Sequence, residues 1–357
     1  MILKNYQVLA IKDVDSIIVS KHHQLFEYSI SKNTFKLLFK FEWNFKTGLS
    51  QISKPLRRLL RTDIRYGFKL SEDEILLAYK NKFYKLQLST KKILSEIAIP
   101  RGSRPLNMIQ LNNFKEFDDG VYFGEYFTNP DKKPVHIYKY IDGHIKSITT
   151  FEQNTINHIH NLIPDRFRDC VWILAGDFDD SAAIYKATEN FNKIEKIVSG
   201  HQEYRSCVAF PVEQGLLYAT DSQFEQNSIR LLKEDTNKKW ISEPLHYING
   251  SCIFGALINN EYYFSTAVEA VNSGNKFQIL LRNRRGPGIL KNVVEIVKMD
   301  NSNILTTIYS NKKDCLPFVP FQFGNILFPT GLNESNLLIF TPIATKKNDF
   351  STIIKPV

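Results

Sequence analysis

The amino-acid sequence predicts an all-β chain that folds as a single-domain β-propeller, with seven blades favoured and six as the alternative. Short alternating or continuous runs of β-branched and aromatic residues dominate the chain, as is typical of half-buried and fully buried strands. Few segments show a sustained helical period. Units of two or three such runs recur about every 50 residues, roughly seven times, which is the spacing of propeller blades.

The units follow one another along the whole chain. In the fourth unit, the apolar run CVWILA is followed by AAIYKAT and then by KIEKIVS, with polar turns between them. A propeller blade is a small twisted sheet that cannot cover both of its faces alone, so neighbouring blades bury each other's apolar residues. The predicted blades begin near Tyr6, Leu59, Leu106, Ile156, Arg205, Gly250 and Leu316.

No linker rich in Pro, Gly or Ser interrupts the series. We therefore expect one domain over residues 1–357, with a pair of β-sandwiches as the competing arrangement of the same hairpins. The composition of 43% hydrophobic, 13% aromatic and 23% charged residues is typical of a globular protein. It excludes disordered, collagen-like and disulfide-scaffold chains.

Other features of the sequence limit the environment in which the protein is expected. No apolar run approaches the ~20 residues of a membrane-spanning helix. The first residues, MILKNYQVLAIKDVDS, lack the pattern of a secretory signal, which predicts a cytoplasmic location. The four cysteines lie far apart without a CxxC spacing, so we expect buried free thiols rather than a metal knuckle or a redox pair.

The net charge of +9 favours an anionic partner. The charge alone does not choose among nucleic acid, lipid and acidic glycan. Because the Lys residues are dispersed and no zinc-finger or RNP-like motif accompanies them, nucleic acid is not the expected partner.

The densest polar cluster lies in the fourth unit. His158 and His160 are two residues apart, so they share one side of an extended strand. Asp177 directly follows the apolar run CVWILAG, and Asp180 lies close behind it. Two imidazoles and a carboxylate can supply a general base, a proton donor or three ligands of a divalent metal ion. Structural hydrogen bonding is the alternative.

A second cluster follows the run GVYF in the third unit. Glu125 beside Tyr126 can polarise the phenol and make it a nucleophile or base. Asp221 and Glu269 follow strands in later units, so four successive units end a strand with an acid. Carboxylates that converge on one channel raise each other's pKa, as a proton donor near neutral pH requires. The alternative is that the acids recur because the turn recurs.

Basic residues stand near the starts of several units. Guanidinium groups bind carboxylate or sulfate bidentately, so we expect these residues to bind a charged sugar. Solvated surface positions are the alternative. The predicted substrate-binding set is Arg65, Arg104, His160, Asp180, Arg205, Asp221 and Lys313.

Taken in order, the segments GVYFGEYFTNP, INHIHN, VWILAGDFDDSAAIYKAT, QEYRS and LLYATD resemble sialidase-like propeller proteins of bacterial surface-polysaccharide gene clusters, the BNR-repeat glycosyl hydrolases. The resemblance extends from about residue 57 to residue 336 and implies a propeller fold and a carbohydrate substrate. A sialidase-like site comprises an arginine triad, a nucleophile pair and an acid. The residues that this implies in this chain are Arg65, Arg104 and Arg205, Tyr126 with Glu125, and Asp177.

The Asp-box repeat of that family, S-x-D-x-G-x-x-W, survives in degraded form. Residues 233–240 keep the Asp and the Trp, and residues 140–143 keep a shortened Asp-Gly turn. The repeat stabilises a turn between outer strands and takes no part in chemistry. Its decay therefore bears on the family label more than on activity.

The sequence thus predicts a carbohydrate-active enzyme that cleaves glycosidic bonds in an acidic bacterial polysaccharide or glycan precursor. In a sialidase-like hydrolase, Asp177 or Glu269 protonates the leaving oxygen while Glu125 with Tyr126 attacks or activates water. In a polysaccharide lyase, His158 or Tyr126 abstracts the proton beside a uronate carboxylate that Arg or a metal ion neutralises. No cofactor is predicted other than this divalent metal. The alternative is a non-catalytic propeller that binds glycans or acts as an assembly scaffold.

Overall fold

The computed structural model describes residues 1–270 and 284–357 and confirms the predicted fold class. The described residues form 28 strands in seven four-stranded sheets, the blades of a seven-bladed β-propeller. The chain divides into two compact units, one of residues 1–96 with 254–357 and one of residues 97–253. Each unit contains apolar clusters of its own.

The strands succeed one another along the chain as follows. The first comprise β1 (Ile2–Leu3), β2 (Gln7–Ile11), β3 (Ser16–Lys21), β4 (Gln24–Ser29), β5 (Thr34–Lys40), β6 (Tyr66–Lys69), β7 (Glu74–Tyr79), β8 (Lys82–Gln87) and β9 (Lys92–Ala98). The middle ones are β10 (Met108–Leu111), β11 (Gly120–Gly124), β12 (Val135–Ile141), β13 (His144–Phe151), β14 (Ile159–Asp165), β15 (Cys170–Ala175), β16 (Ala183–Thr188), β17 (Lys193–Ser199), β18 (Ser206–Val212), β19 (Gly215–Thr220), β20 (Asn227–Glu234) and β21 (Trp240–Ile248). The last are β22 (Ser251–Ile258), β23 (Glu261–Ala267), β24 (Val293–Met299), β25 (Leu305–Lys312), β26 (Asn325–Leu327), β27 (Leu337–Ile343) and β28 (Thr352–Pro356).

Helices are short and lie in connections. They are α1 (Phe45–Ser50), α2 (Lys54–Leu60), α3 (Phe318–Phe321) and the 3-10 helices Asp179–Ser181, Glu189–Phe191 and Gln202–Tyr204. The Asn44 side chain caps α1 by accepting from the Thr47 backbone N–H at 2.9 Å. Two predicted blade starts lie before a strand. Leu59 is in α2, ahead of β6, and Leu316 precedes α3, ahead of β26.

In the unit of residues 97–253, β15 shows how adjacent sheets share a core. Every residue of β15 is buried. Ile173 packs in one apolar cluster with Tyr122 of the preceding sheet, and Trp172 packs in another with Tyr218 of the following sheet. Successive side chains of a strand point to opposite faces, so β15 is a continuous apolar run because both of its faces are covered.

In the other unit, one sheet contains both ends of the chain. Its order is β1-β28-β27-β26, and β1 pairs antiparallel with β28, with Ile2 opposite Ile353 and Leu3 opposite Thr352. Leu3 is 5% exposed and belongs to an apolar cluster with residues of β2, β3, β27 and β28. The N-terminal strand therefore completes the sheet that the C-terminal strands begin.

Two further expectations concern membrane-spanning helices and the cysteines. No helix among the described residues is long and apolar enough to cross a membrane. Cys170, Cys207 and Cys252 are buried free thiols as expected, whereas Cys315 is exposed. The expectation of burial was wrong for Cys315, which lies in the loop between β25 and α3.

The closure by β1 can be tested with a matched pair of substitutions. We expect Leu3→Ala to lower the free energy of unfolding by about 2–3 kcal/mol, because it removes a buried side chain and leaves a cavity. Ile2→Ala, at a neighbouring position that is 47% exposed, should change it by less than about 1 kcal/mol. Urea denaturation of both variants measures the difference. Equal small effects would show that β1 adds little to the sheet.

Candidate functional site

A buried polar cluster in the unit of residues 97–253 brings together several of the predicted site residues. It is formed by the start of β14, the loop after β15, and the segments that begin β18 and follow β19. We call it the Asp177 cluster. Its members are His158, His160, Asp177, Arg205, Cys207 and Asp221.

A β-bulge at the start of β14 positions the two histidines. Ile159 pairs with Ala175 and Asn161 with Leu174, so His160 is the extra residue between two paired positions. A bulge redirects the side chain of the residue that it leaves unpaired. The result is a direct contact between the rings, in which the Nε2 atoms of His158 and His160 are 2.9 Å apart.

Backbone carbonyls orient both rings. Nδ1 of His158 is 2.9 Å from the Phe127 carbonyl oxygen, and Nδ1 of His160 is 3.0 Å from the Ser206 carbonyl oxygen. A carbonyl only accepts hydrogen bonds, so each Nδ1 carries the proton that it donates. In the neutral rings, the lone pairs are therefore on the two Nε2 atoms.

Asp177 approaches both histidines from the end of β15. Its two carboxylate oxygens are each 3.5 Å from one Nε2 atom, Oδ2 from that of His158 and Oδ1 from that of His160. Gly176 makes this turn at φ +82°, and a Cβ at that position would lie 1.5 Å from the Ser181 carbonyl oxygen. Only glycine fits there, so the turn that presents Asp177 depends on Gly176.

Arg205 links Asp177 to the following sheet. Its Nη2 is 3.2 Å from Asp177 Oδ1 and 3.5 Å from Asp221 Oδ2. Cys207 donates to the same Asp221 oxygen at 3.2 Å. The two carboxylates and one guanidinium leave this group with one net negative charge, apart from the imidazoles.

The surroundings determine the charge states in the cluster. Burial alone would raise the pKa of Asp177, but the polar contacts around it, among them the one with the Arg205 guanidinium, hold the pKa below the usual range. Burial lowers the pKa of His160 to about 4 despite its contact with Asp177. The Asp177 carboxylate is thus ionised and the His160 ring neutral at neutral pH. The pKa of Asp177 is lowered, whereas the mutual repulsion of converging carboxylates, which the sequence predicted, would raise it.

Aromatic side chains surround the exposed side of the cluster. The Asp177 side chain is 23% exposed, whereas the side chains of both histidines are less than one-tenth exposed. The Tyr126 ring packs edge-on against His158 with centroids 4.7 Å apart. Phe178 and Phe224 lie 5.7 Å apart and are 39% and 40% exposed. Two exposed neighbouring rings present flat apolar faces on which a ligand can stack.

Glu125 lies in the same unit, but its carboxylate is occupied by protein partners. Arg101 forms a two-pronged ion pair with it. The Tyr138 hydroxyl and the His136 backbone N–H each donate to it at 2.9 Å. Its side chain is 1% exposed. The prediction paired Glu125 with the phenol of Tyr126; the phenol that donates to Glu125 in the structure is that of Tyr138, and burial and this carboxylate raise the pKa of Tyr138.

The other predicted residues lie in different surroundings. Asp180 is exposed in the 3-10 helix after Asp177. Arg104 is partly buried and donates to the Pro105 carbonyl oxygen at 3.1 Å. Arg65, Glu269 and Lys313 belong to the unit of residues 1–96 with 254–357.

In that unit, Arg65 directly precedes β6, and Glu269 is partly buried after β23. Lys313 is 1% exposed. Its ammonium donates to Asp314 Oδ1 at 3.0 Å and to the Leu316 carbonyl oxygen at 2.7 Å. Arg58 pairs with the same Asp314. Lys313 is thus buried in an ion-pair network and does not lie at the surface.

Sequence reasoning missed two members of the site. Cys207 was expected to be only a buried thiol, yet it contacts Asp221. Gln202 donates to the Asp177 backbone carbonyl at 2.8 Å and accepts from the Ser222 hydroxyl at 3.0 Å. The segment QEYRSC combines Gln202, Arg205 and Cys207 within six residues, and this local density of polar groups before a strand was the available signal.

Comparisons with known proteins show the fold of this chain. No protein-family model matches the sequence, and no curated protein does. An oligogalacturonate lyase in complex with manganese is similar with a TM-score of 0.58 and 10% identity, over 99% of this chain and 89% of that one. The AfRom2 CNH domain has a TM-score of 0.55 at 6% identity, over 100% of this chain and 94% of that one. A chain of the mitotic checkpoint complex has a TM-score of 0.53 at 8% identity, over 100% and 93%. The protein is thus a β-propeller with a buried polar site, and its similarity to these structures extends to the fold alone.

The link between Asp177 and Asp221 through Arg205 generates a stability prediction. We expect Arg205→Met to lower the free energy of unfolding by about 3 kcal/mol, because it leaves two largely buried carboxylates without their guanidinium partner. The control is Arg166→Met, at an exposed position, with an expected change below about 1 kcal/mol. Urea denaturation measures both. A loss no greater than that of the control would contradict the role assigned to Arg205.

Proposed function

We propose that this protein is a carbohydrate-active enzyme that cleaves an acidic, uronate-containing glycan by β-elimination. The observation that carries the proposal is the Asp177 cluster, in which two imidazoles and a guanidinium surround one part-exposed carboxylate beside Tyr126. An anionic glycan also suits the net charge of +9. The resemblance to sialidase-like propellers points to the same class of substrate, an acidic bacterial polysaccharide or its precursor.

The arrangement supports a lyase better than a hydrolase. Glycoside hydrolysis needs a carboxylic acid that is protonated at working pH. The lowered pKa of Asp177 argues against that role. Glu125 is buried and bound to Arg101, Tyr138 and a backbone N–H, which argues against it as a nucleophile. An oligogalacturonate lyase in complex with manganese shares the fold at 10% identity, and its activity supports the choice of a lyase in this proposal.

β-Elimination has three requirements. A cationic centre offsets the charge of the uronate carboxylate, a base removes the proton on the adjacent ring carbon, and the C–H electron pair forms the ring double bond as the glycosidic C–O bond breaks. The leaving oxygen takes up a proton from solvent. We assign the cationic centre to the Arg205 guanidinium of the Asp177 cluster and the stacking against sugar rings to Phe178 and Phe224, which are exposed beside the cluster.

The base is assigned to Tyr126. Nδ1 of His158 donates to the Phe127 carbonyl, and its Nε2 faces that of His160 inside the buried cluster. Tyr126 packs on His158 and is only partly buried. Tyrosine acts as a general base in its phenolate form: the Tyr126 oxygen takes up the proton from the ring carbon and afterwards releases it to solvent.

A direct test uses the ultraviolet absorbance of the unsaturated product. We expect the purified protein to generate this absorbance from uronate oligosaccharides, with polygalacturonate, alginate and hyaluronan fragments as the panel. Tyr126→Phe should lower kcat by about 100-fold or more, because it removes the base. The matched control, Tyr247→Phe, changes an exposed tyrosine and should leave kcat unchanged. Unaltered turnover in Tyr126→Phe would contradict the assignment of the base, and new reducing ends without absorbance would indicate hydrolysis instead.

A non-catalytic glycan-binding or scaffold propeller is the second candidate. It is favoured by the occupation of Glu125, His160 and Asp221 with protein partners, and one fold neighbour is a chain of a multiprotein complex. Glycan binding by calorimetry without any product from the same panel would support this candidate over the lyase.

A further inference from the structure

The contact between His158 and His160 places two imidazole Nε2 atoms directly against each other. Each Nδ1 donates to a backbone carbonyl, so each Nε2 presents a lone pair. The two Nε2 atoms face each other at 2.9 Å. Two acceptors at that distance repel unless a proton or a cation lies between them. The backbone carbonyls stabilise the tautomer that creates this repulsion.

The third group at this point is also an acceptor. The carboxylate oxygens of Asp177 are 3.5 Å from the two Nε2 atoms, and the three groups offer ligand atoms that all lie within 4.8 Å of one another. A metal ion with nitrogen ligands at about 2.0–2.1 Å separates two neighbouring ligand atoms by roughly 3.0–3.4 Å. The observed spacings match that range with small adjustments of the side chains.

We propose that His158, His160 and Asp177 bind one divalent transition-metal ion through the two Nε2 atoms and the carboxylate. Two imidazoles with one carboxylate are a donor set for zinc and for iron(II) and related ions. Calcium and magnesium prefer oxygen ligands alone and are not expected at this site.

The surroundings of the three ligands suit this role. Backbone carbonyls on the second ring nitrogen are the usual support of metal-bound histidines, because they maintain the tautomer and the ring orientation. Arg205 contacts both Asp177 and Asp221, and together these three charges sum to one negative charge. A dication therefore enters a site whose charge it offsets rather than one that repels it.

A competing ligand set shares His160. His160, Cys207 and Asp221 also offer ligand atoms close to one another. In that set, however, Cys207 donates to Asp221 at 3.2 Å, and Nδ1 of His160 is bound to the Ser206 carbonyl. The set containing His158 and Asp177 is favoured because its atoms converge without a donor between them. It also has Asp177 as a part-exposed member, so one side of the ion faces solvent or a ligand.

The metal site does not depend on the proposed lyase activity. If the protein binds metal but shows no elimination activity, the metal site stands and the proposed function fails. If it is an active lyase that binds no metal, the proposed function stands and the metal site fails. Where both hold, the ion joins Arg205 in the cationic centre for a substrate carboxylate, and Tyr126 remains the base.

The test is metal binding by the full chain. After dialysis against a chelator, the protein is titrated with Zn²⁺ and with Co²⁺ under calorimetry, and bound metal is counted by mass spectrometry. We expect about one ion per chain, a raised Tm with metal, and Co²⁺ absorbance and X-ray absorption that report nitrogen and oxygen ligands. His158→Ala and His160→Ala should each weaken binding by about 100-fold or more, and the isosteric Asp177→Asn by about 10-fold.

Two further variants make the ligand assignment falsifiable. Cys207→Ser should bind metal as the wild type does, and so should His144→Ala, which changes an exposed histidine. The circular dichroism spectrum of each metal-free variant reports whether it folds, and the wild-type Co²⁺ and X-ray spectra need no variant. Loss of binding in Cys207→Ser with a Co²⁺–thiolate band would overturn the assignment in favour of the competing set. Wild-type binding no tighter than that of the His158→Ala/His160→Ala double variant would overturn the metal site.

Discussion

The structure depends on one constraint, that a four-stranded sheet with two apolar faces is stable only when a neighbour covers each face. β15 shows this directly. Its side chains alternate between two apolar clusters, with Ile173 packed against the preceding sheet and Trp172 against the following one. At roughly 25 cal/mol per Å² of buried apolar surface, these shared faces are the main stabilising contribution to each sheet, and the strand has no polar side to expose.

The polar cluster follows from that packing. Where the apolar strands end, the chain must turn, and the turns of adjacent sheets are held close together by the cores beneath them. Gly176 turns directly after β15, and Arg205 precedes β18 in the next sheet. Their neighbourhood is already largely buried, so each polar group needs a partner. Hydrogen bonds to carbonyls and one guanidinium shared by two carboxylates are partners that the fold makes available.

The fold and part of the site could be predicted from the sequence because they depend on local pattern. The period of the strand units is visible in the chain, and the spacing of His158 and His160 places them on one side of it. In the structure, a β-bulge brings the two rings into contact, and the spacing of residues in the sequence does not indicate a bulge. The partners of Glu125 could not be predicted, because Arg101 lies 24 residues away and is brought there by tertiary packing. Adjacency in the sequence suggested Tyr126 as the partner of Glu125, whereas the observed donor, Tyr138, lies on the adjacent strand.

The same packing separates residues that can be changed freely from residues that cannot. His160, Arg205 and Asp221 are each less than one-tenth exposed and bind one another or the backbone, so any substitution there alters the core as well as the chemistry. Tyr126, Phe178 and Phe224 are partly exposed around the cluster, and Tyr126 and Phe178 pack against His158 and Arg205, so a substitution there changes the surface beside the cluster without removing one of its charged groups. A loss of activity is therefore evidence for a chemical role only at these outer positions. At the inner ones, the role is established by measuring metal binding or the ionisation state itself.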